Sequence, residues 1–227
     1  MFRGTGPGVQ TADGCSVELY RRLPYLGELD AVRQFLPHAA TVLELGAGTG
    51  RLTRVLLEWS LQPTAVDFSA DMLAHIPVGA ERVCSAIDEL RLEREFDVVL
   101  LASCLINHPD ENVRREYVRC AVRHLGPGGR FVLERHDPDW LESVKPGTVV
   151  TAGPARVRVD RVSRTEGVAS MRLQYELEGQ SWSHEFSASA LREREIEKLL
   201  AEFGLVDVSW HGPTRRWAVA PRGGDAA

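Results

Sequence analysis

The segment Val42-Leu43-Glu44-Leu45-Gly46-Ala47-Gly48-Thr49-Gly50 restricts the fold more than any other stretch of the chain. An apolar run reads as a buried strand, and the glycines that follow read as a turn into a helix. Glycine permits positive φ and lets a ligand approach the backbone closely. The first N–H groups of the next helix have no partners within the helix and face the turn. A flat or polar ligand can therefore lie here. The spacing is G-x-G-x-G. A dinucleotide fingerprint needs a glycine at position 51, which is Arg51. No Gly-Lys-Ser/Thr follows, so a P-loop is excluded.

Strands and helices alternate after this turn. Strands are predicted at Thr41–Leu45, 64–67, 82–86, 96–103 and 130–134, with helices at 51–59, 71–75 and 112–125. Such repetition means a parallel sheet covered by helices on both faces. Asp67 ends the second strand about twenty residues after the glycines, where an α/β nucleotide fold places a carboxylate on ribose hydroxyls. Asp88 follows the third strand at the same sheet edge. Together, in order and at this spacing, the turn and Asp67 point to an adenosine-type ligand.

The flanks differ. Residues 1–14 carry four glycines and no apolar periodicity, which reads as a loose end. Residues 15–35 are helical in pattern, interrupted by Pro24 and Gly27. Residues 154–187 alternate apolar and polar positions, with turns at Glu166-Gly167 and at residues 178–180. They predict a three-stranded antiparallel meander that serves as a lid or wall. An amphipathic helix at 189–203 and a hairpin of 205–210 with 215–220 close the chain, and the tail from Pro221 reads as disordered. The organisation expected is an N-terminal helical lid at 1–38, an α/β unit over 39–140 and 188–222, and an antiparallel insert over 150–187.

Composition narrows the function classes. The net charge of −5, from 27 basic and 32 acidic residues, argues against nucleic acid as the partner. The longest apolar run is far short of the ~20 residues of a membrane helix, and no signal peptide is evident at the start. No membrane partner is expected, and the location expected is cytoplasmic. The four cysteines form no C-x-x-C pair and no histidine completes a zinc spacing, so no metal is expected. Cys84 and Cys104 read as small buried hydrophobes. His38, His75, His124 and His211 read as surface residues.

Four stretches, taken together, resemble class I S-adenosylmethionine-dependent methyltransferases of the small-molecule branch. They are Leu43 to Gly50, Val66-Asp67-Phe68-Ser69-Ala70-Asp71-Met72-Leu73, Phe96-Asp97-Val98-Val99-Leu100 into Ser103, and His124-Leu125-Gly126-Pro127-Gly128-Gly129-Arg130-Phe131-Val132-Leu133. They cover roughly residues 40–135. The resemblance implies an α/β, Rossmann-like fold: a seven-stranded, mostly parallel sheet with a reversed last hairpin, helices on both faces and a small antiparallel β insert. It also implies S-adenosylmethionine as cofactor. By the same resemblance Glu44 faces the methionine amino group, and Gly46, Ala47 and Gly48 carry the methionine part. Asp67 takes the ribose, and Phe68 and Met72 flank the adenine. Ile87 and Asp88 lie at the adenine, and Ala102 and Ser103 lie at the methionine end.

The acceptor side is less defined. The cluster Glu134-Arg135-His136-Asp137-Pro138-Asp139-Trp140 falls at the ligand-binding edge. His136 is a candidate base, since histidine titrates near neutrality, and His108 is the other. Asp137 is available to orient His136 or to cap the next turn. Arg135 is a candidate for an acidic substrate group. Tyr20 on the first helix and His184 in the meander are further substrate-side candidates. Ile106-Asn107-His108-Pro109 is not the Asn-Pro-Pro-Tyr signature of enzymes that methylate amide or base nitrogens. The expected activity is methyl transfer to a small molecule, a specialised metabolite among the options, with an N, O or C acceptor, by a monomer or homodimer. Two alternatives remain: another use of the sulfonium, such as cyclisation or aminocarboxypropyl transfer, and an NAD-binding oxidoreductase.

Overall fold

The computed structural model describes residues 3–223. The elements in chain order are β1 (Arg3–Thr5), α1 (Val17–Arg22), a 3-10 helix (Asp30–Phe35), β2 (Thr41–Leu45), α2 (Arg51–Glu58), β3 (Gln62–Asp67), α3 (Ala70–Leu73) and β4 (Glu81–Cys84). There follow β5 (Phe96–Leu101), a 3-10 helix (Leu105–Asn107), α4 (Glu111–His124), β6 (Leu125–Glu134) and α5 (Pro138–Ser143). The last are β7 (Val149–Ala152), β8 (Ala155–Thr165), β9 (Val168–Leu177), β10 (Gln180–Ser189), α6 (Glu193–Ala201), β11 (Ser209–His211) and β12 (Trp217–Pro221).

Seven strands form the main sheet in the order β11-β12-β6-β5-β2-β3-β4. β2 to β6 run parallel, and β12 is antiparallel to β6. Side chains alternate between the faces of a strand, and both faces here are covered. Leu43, Leu45, Val99, Leu101, Phe131 and Leu133 pack with Val118 of α4 and with Ile196 and Leu200 of α6. Val42, Val98, Leu100 and Val132 pack on the other side with Leu52 and Leu56 of α2 and with Leu29 and Val32. The strand order reverses between β2 and β5, and open α/β sheets take ligands at such a switch point.

The second sheet is antiparallel, in the order β1-β10-β9-β8-β7. It has five strands where the sequence pattern predicts three. β7 joins β8 through Gly153, at φ +60°. β1 comes from the segment read as loose, and pairs with β10 from Arg3↔Glu185 to Thr5↔Ser183. Trp182 Nε1 donates to the Pro7 carbonyl at 2.9 Å, which ties the following loop down. Residues 3–14 are thus ordered by contacts far away in sequence. At the other end, β12 runs through Pro221 and Arg222 bridges Leu205, so the disordered reading does not hold to residue 222. Residues 224–227 of that tail lie outside the described residues.

Three smaller expectations are corrected. The last helix starts at Glu193 because Ser189 belongs to β10. Cys84 ends β4 at an exposed position. His124 is fully buried on the inner face of α4, where Nε2 accepts from the Leu92 N–H at 3.0 Å and Nδ1 donates to the Cys120 carbonyl at 2.8 Å. Among the described residues no helix is long and apolar enough to cross a membrane.

Candidate active site

A cavity of about 590 Å³ opens at the carboxyl ends of β2, β3 and β5 and is roofed by β9, β10 and residues 11–20. Ligand sites range over ~300–1,000 Å³. The glycine turn forms its floor. Gly46, Gly48 and Gly50 have φ of +72°, +56° and +80°. The first two serve different ends. A Cβ on Gly46 would lie 2.5 Å from Leu105 Cδ1, whereas one on Gly48 meets nothing within 4 Å and would project into open space. Gly46 therefore permits packing, and Gly48 leaves a cradle that a ligand can fill.

Glu44 is buried at the end of β2 and accepts from Thr53 Oγ1 at 2.6 Å. Burial pushes its carboxyl up to about 7, against the pull of Thr53 and the nearby Arg51. A carboxyl so poised is stabilised in its charged form by an incoming cation. Asp67 is also buried. Its two oxygens accept from the Gly48 N–H at 2.8 Å and the Ser69 N–H at 2.9 Å. Burial raises its pKa, and these backbone donors oppose the rise. Phe68 stands beside it 46% exposed, and Met72 is buried behind. Ile87 is half-buried and Asp88 exposed at the rim.

The turn after β5 carries Ala102, Ser103 and Cys104. Ser103 and Cys104 both adopt left-handed backbone, at φ +55° and +57°. Such conformations cost L-residues energy and persist only when the surroundings enforce them. Here the enforcing group is Glu134, buried at the end of β6. It accepts from the Ser103 N–H at 2.9 Å and from Arg216 Nη2 at 2.7 Å.

The opposite wall is built from aromatic and imidazole rings. The His136 ring lies between Trp140 and Phe186, with centroids 6.2 and 6.0 Å away and planes within 21° and 19°. Burial pushes its pKa down to about 4, so it is neutral at pH 7. Its main-chain N–H donates to Asn107 Oδ1 at 2.8 Å, while Asn107 Nδ2 donates to the Ser189 carbonyl at 2.8 Å. One buried side chain thus joins the ends of β6 and β10 to the loop after β5. The His184 ring stacks on Phe186 at 5.8 Å and its Nε2 donates to the Asp13 carbonyl at 3.4 Å. Tyr20 lines the cavity beside Cys15. His108 also lines it, but the Asp110 N–H donates to its Nδ1 at 3.1 Å. A neutral His108 therefore carries its proton on Nε2 and is a donor there.

The cavity brings together Glu44, Gly46, Ala47, Gly48, Asp67, Phe68, Met72, Ile87, Asp88, Ala102, Ser103, His108, His136, Tyr20 and His184. Arg135 is the exception, and its expected substrate role is corrected. Its guanidinium is buried on the far side, bonded to the Leu191 and Arg215 carbonyls and stacked over Trp210. Neighbouring residues of extended chain point to opposite sides, so His136 and Arg135 cannot share one pocket. Asp137 does not orient His136 but caps α5, accepting from the Asp139 N–H at 2.9 Å. Asn107, Asp13, Tyr175 and Phe186 line the cavity without having been singled out from the sequence. Only Asn107 left a signal, inside the Ile106-Asn107-His108-Pro109 segment.

Known proteins agree with this architecture. The methyltransferase-domain family matches residues 18–209. No curated protein matches the sequence. Among solved structures, the CcbJ methyltransferase from Streptomyces caelestis superposes with a TM-score of 0.71 at 20% identity, over 92% of this chain and 96% of that one. The amino pentose methyltransferase CalS10 from Micromonospora echinaspora, solved with S-adenosylmethionine, gives 0.68 at 21% identity, over 92% and 93%. The sugar N-methyltransferase KedS8 from Streptoalloteichus sp ATCC 53650 gives 0.65 at 22%, over 91% and 86%. At this identity the structures establish the fold, and the family match, over most of the chain, sets aside the NAD alternative. The open cradle at Gly48, the carboxylates Glu44 and Asp67 and the exposed Phe68 face suit a cationic adenosine ligand. The chain belongs to the methyltransferase-domain family, as a class I S-adenosylmethionine-dependent enzyme.

Proposed function

We propose that the protein methylates a small molecule held between the sheet edge and the aromatic wall, with His136 receiving the proton where the acceptor loses one. The observation that carries this reading is one continuous cavity. Its floor is the Gly46–Gly48 cradle with Asp67, and its far wall presents an imidazole that makes no ring hydrogen bond to the described residues. S-adenosylmethionine supplies a methyl group already activated on a sulfonium. On the floor, Gly46, Ala47 and Gly48 support the methionine part, Glu44 takes the amino group and Asp67 takes the ribose. Phe68, Met72, Ile87 and Asp88 surround the adenine, and Ala102 and Ser103 close the methionine end. Tyr20, His184 and His136 bound the acceptor.

The main task left to the protein is orientation, which supplies up to ~7–11 kcal/mol of a barrier. His136 suits a transient proton acceptor: its lone pair is free at neutral pH, and burial makes the charged form costly to keep. A pKa this low makes it a weak base, so its contribution falls at the lower end of the ~10²–10⁴-fold range. His108 is a donor rather than a base in this arrangement. A specialised metabolite as acceptor draws support from the likeness to CalS10, which is involved in calicheamicin biosynthesis. The test uses methyl-labelled S-adenosylmethionine and a panel of candidate acceptors. Label should enter the acceptor, and His136→Ala should lower kcat by about 100-fold with S-adenosylhomocysteine affinity unchanged. A fall smaller than tenfold removes His136 from proton transfer. Product lacking the label but carrying another part of the cofactor favours a non-methylating use of the sulfonium.

A further inference from the structure

The charges lining the cavity are one-sided. Arg51 is the one lysine or arginine among the lining residues, and it is paired with Glu28 beside the glycine turn. On the acceptor side no lysine or arginine lines the cavity among the described residues; the charge that reaches His136 is that of Arg216, which is paired with Glu134 behind the wall. Burial lowers the pKa of His136, His184 and His108 alike, which leaves three neutral imidazoles. Asp13 hangs from the roof segment, accepting from Thr11 and approached by the Cys15 thiol at 3.7 Å. It has no cationic partner among the described residues, and its charge reaches Tyr20, Tyr117 and Asp67. Tyr175 is partly buried in the same wall, and its hydroxyl makes no hydrogen bond to the described residues. The rest of the wall is largely apolar, with Leu173 and Phe186.

We propose that the acceptor is an amine that enters as its ammonium cation, carries an apolar or aromatic body, and bears no phosphate or carboxylate. This rests on the methyl-transfer reading and names its substrate class. An anion entering this space would lose its water without gaining a positive partner, which is costly. An ammonium gains the Asp13 carboxylate and the faces of Tyr20, Tyr175 and Phe186, an environment that attracts cations once water is excluded. The Tyr175 hydroxyl accepts from one of its N–H groups. The chemistry balances with one proton released. The ammonium gives a proton through His136 to solvent, and the freed nitrogen lone pair forms the new N–C bond. The pair of the breaking C–S bond stays on sulfur, and the product is again an ammonium. Asp13 faces both charged forms.

The experiment is calorimetry on the full chain saturated with S-adenosylhomocysteine, using phenethylamine, 2-phenylethanol and phenylalanine as probes. They share one apolar body and differ in charge. Phenethylamine should bind at least tenfold more tightly than the other two. Asp13→Asn should remove most of that preference, with S-adenosylhomocysteine affinity held within threefold. Tyr175→Leu should weaken phenethylamine severalfold and serves should Asp13→Asn fold poorly. Failure of phenethylamine to bind overturns the proposal, as does equal or tighter binding of phenylalanine or 2-phenylethanol. A preference that survives both substitutions overturns it too. Failure of S-adenosylhomocysteine itself to bind is a different result and strikes the methyl-transfer reading instead.

Discussion

The floor and the far wall of the cavity are built in different ways. On the floor, the polar groups are already bonded. Asp67 is held by two backbone N–H groups, Glu44 by Thr53, and Ser103 by Glu134. On the wall, the rings of His136, Phe186 and His184 stack in series, and the His136 ring and the Tyr175 hydroxyl make no hydrogen bonds to the described residues. The floor is preorganised for one ligand, because preset donors and acceptors cost little further ordering when it binds. The wall fixes shape and charge and leaves its free polar atoms to whatever the acceptor offers. A scaffold divided in this way can keep its cofactor while the acceptor changes.

Substitutions can break that division from either side. The largest effect is expected at Gly48. Alanine there puts a Cβ into the cradle and must hold φ +56°, a strain of ~1–2 kcal/mol for an L-residue. Titration calorimetry should show S-adenosylhomocysteine affinity falling at least a hundredfold, against a loss of stability of only that size. Asn107→Leu attacks the wall. It leaves the His136 N–H and the Ser189 carbonyl without their partner, at ~1–3 kcal/mol for each group that stays buried. Chemical denaturation should report that loss, and kcat should fall about tenfold or more while cofactor affinity changes little. Equal losses of kcat and cofactor affinity would show that the two walls are not separable.

A smaller effect sharpens the comparison through pH. The Glu44 carboxyl is raised from its ordinary value to about 7 by burial. A carboxyl raised in the folded state favours folding most below its unfolded pKa of ~4.3, and that contribution is lost as pH rises through about 7. The shift corresponds to roughly 3–4 kcal/mol at most. Glu44→Gln keeps the Thr53 hydrogen bond and removes the charge. In the cofactor-free protein it should raise the melting temperature at pH 8 by several degrees, with the gain gone by about pH 4.5. The same variant should bind S-adenosylhomocysteine more weakly. No pH-dependent gain would mean that Glu44 is better solvated than its burial implies.

The same division explains what could be read from the sequence. The floor is local: strand, glycine turn and helix are contiguous from Thr41 to Glu58, and Asp67 sits at the end of the next strand. Short-range pattern specifies such a unit, because buried parallel strands are continuous apolar runs and turns need glycine. The wall is assembled from residues far apart. β1 is Arg3-Gly4-Thr5, which has no apolar alternation and is a strand only because β10 pairs with it. Asp13 lies over the cavity for the same reason. Asn107 looks like any loop asparagine until its two bonding partners, Ser189 and His136, are brought beside it. Arg135 was misplaced because its position after β6 is visible in the pattern but the side on which it emerges is not. The missing knowledge in each case is a tertiary pairing.

The measurement that tests the account most directly is a thermal-shift series with S-adenosylhomocysteine on the wild type, Asp67→Ala and His136→Ala. A ligand at a hundred times its dissociation constant stabilises by ~2.7 kcal/mol, a rise of roughly 5–10 °C for a chain of this size. That rise is expected in the wild type and in His136→Ala, and its loss in Asp67→Ala. No rise in the wild type, or a rise that Asp67→Ala retains, would contradict the assignment of the floor to the cofactor.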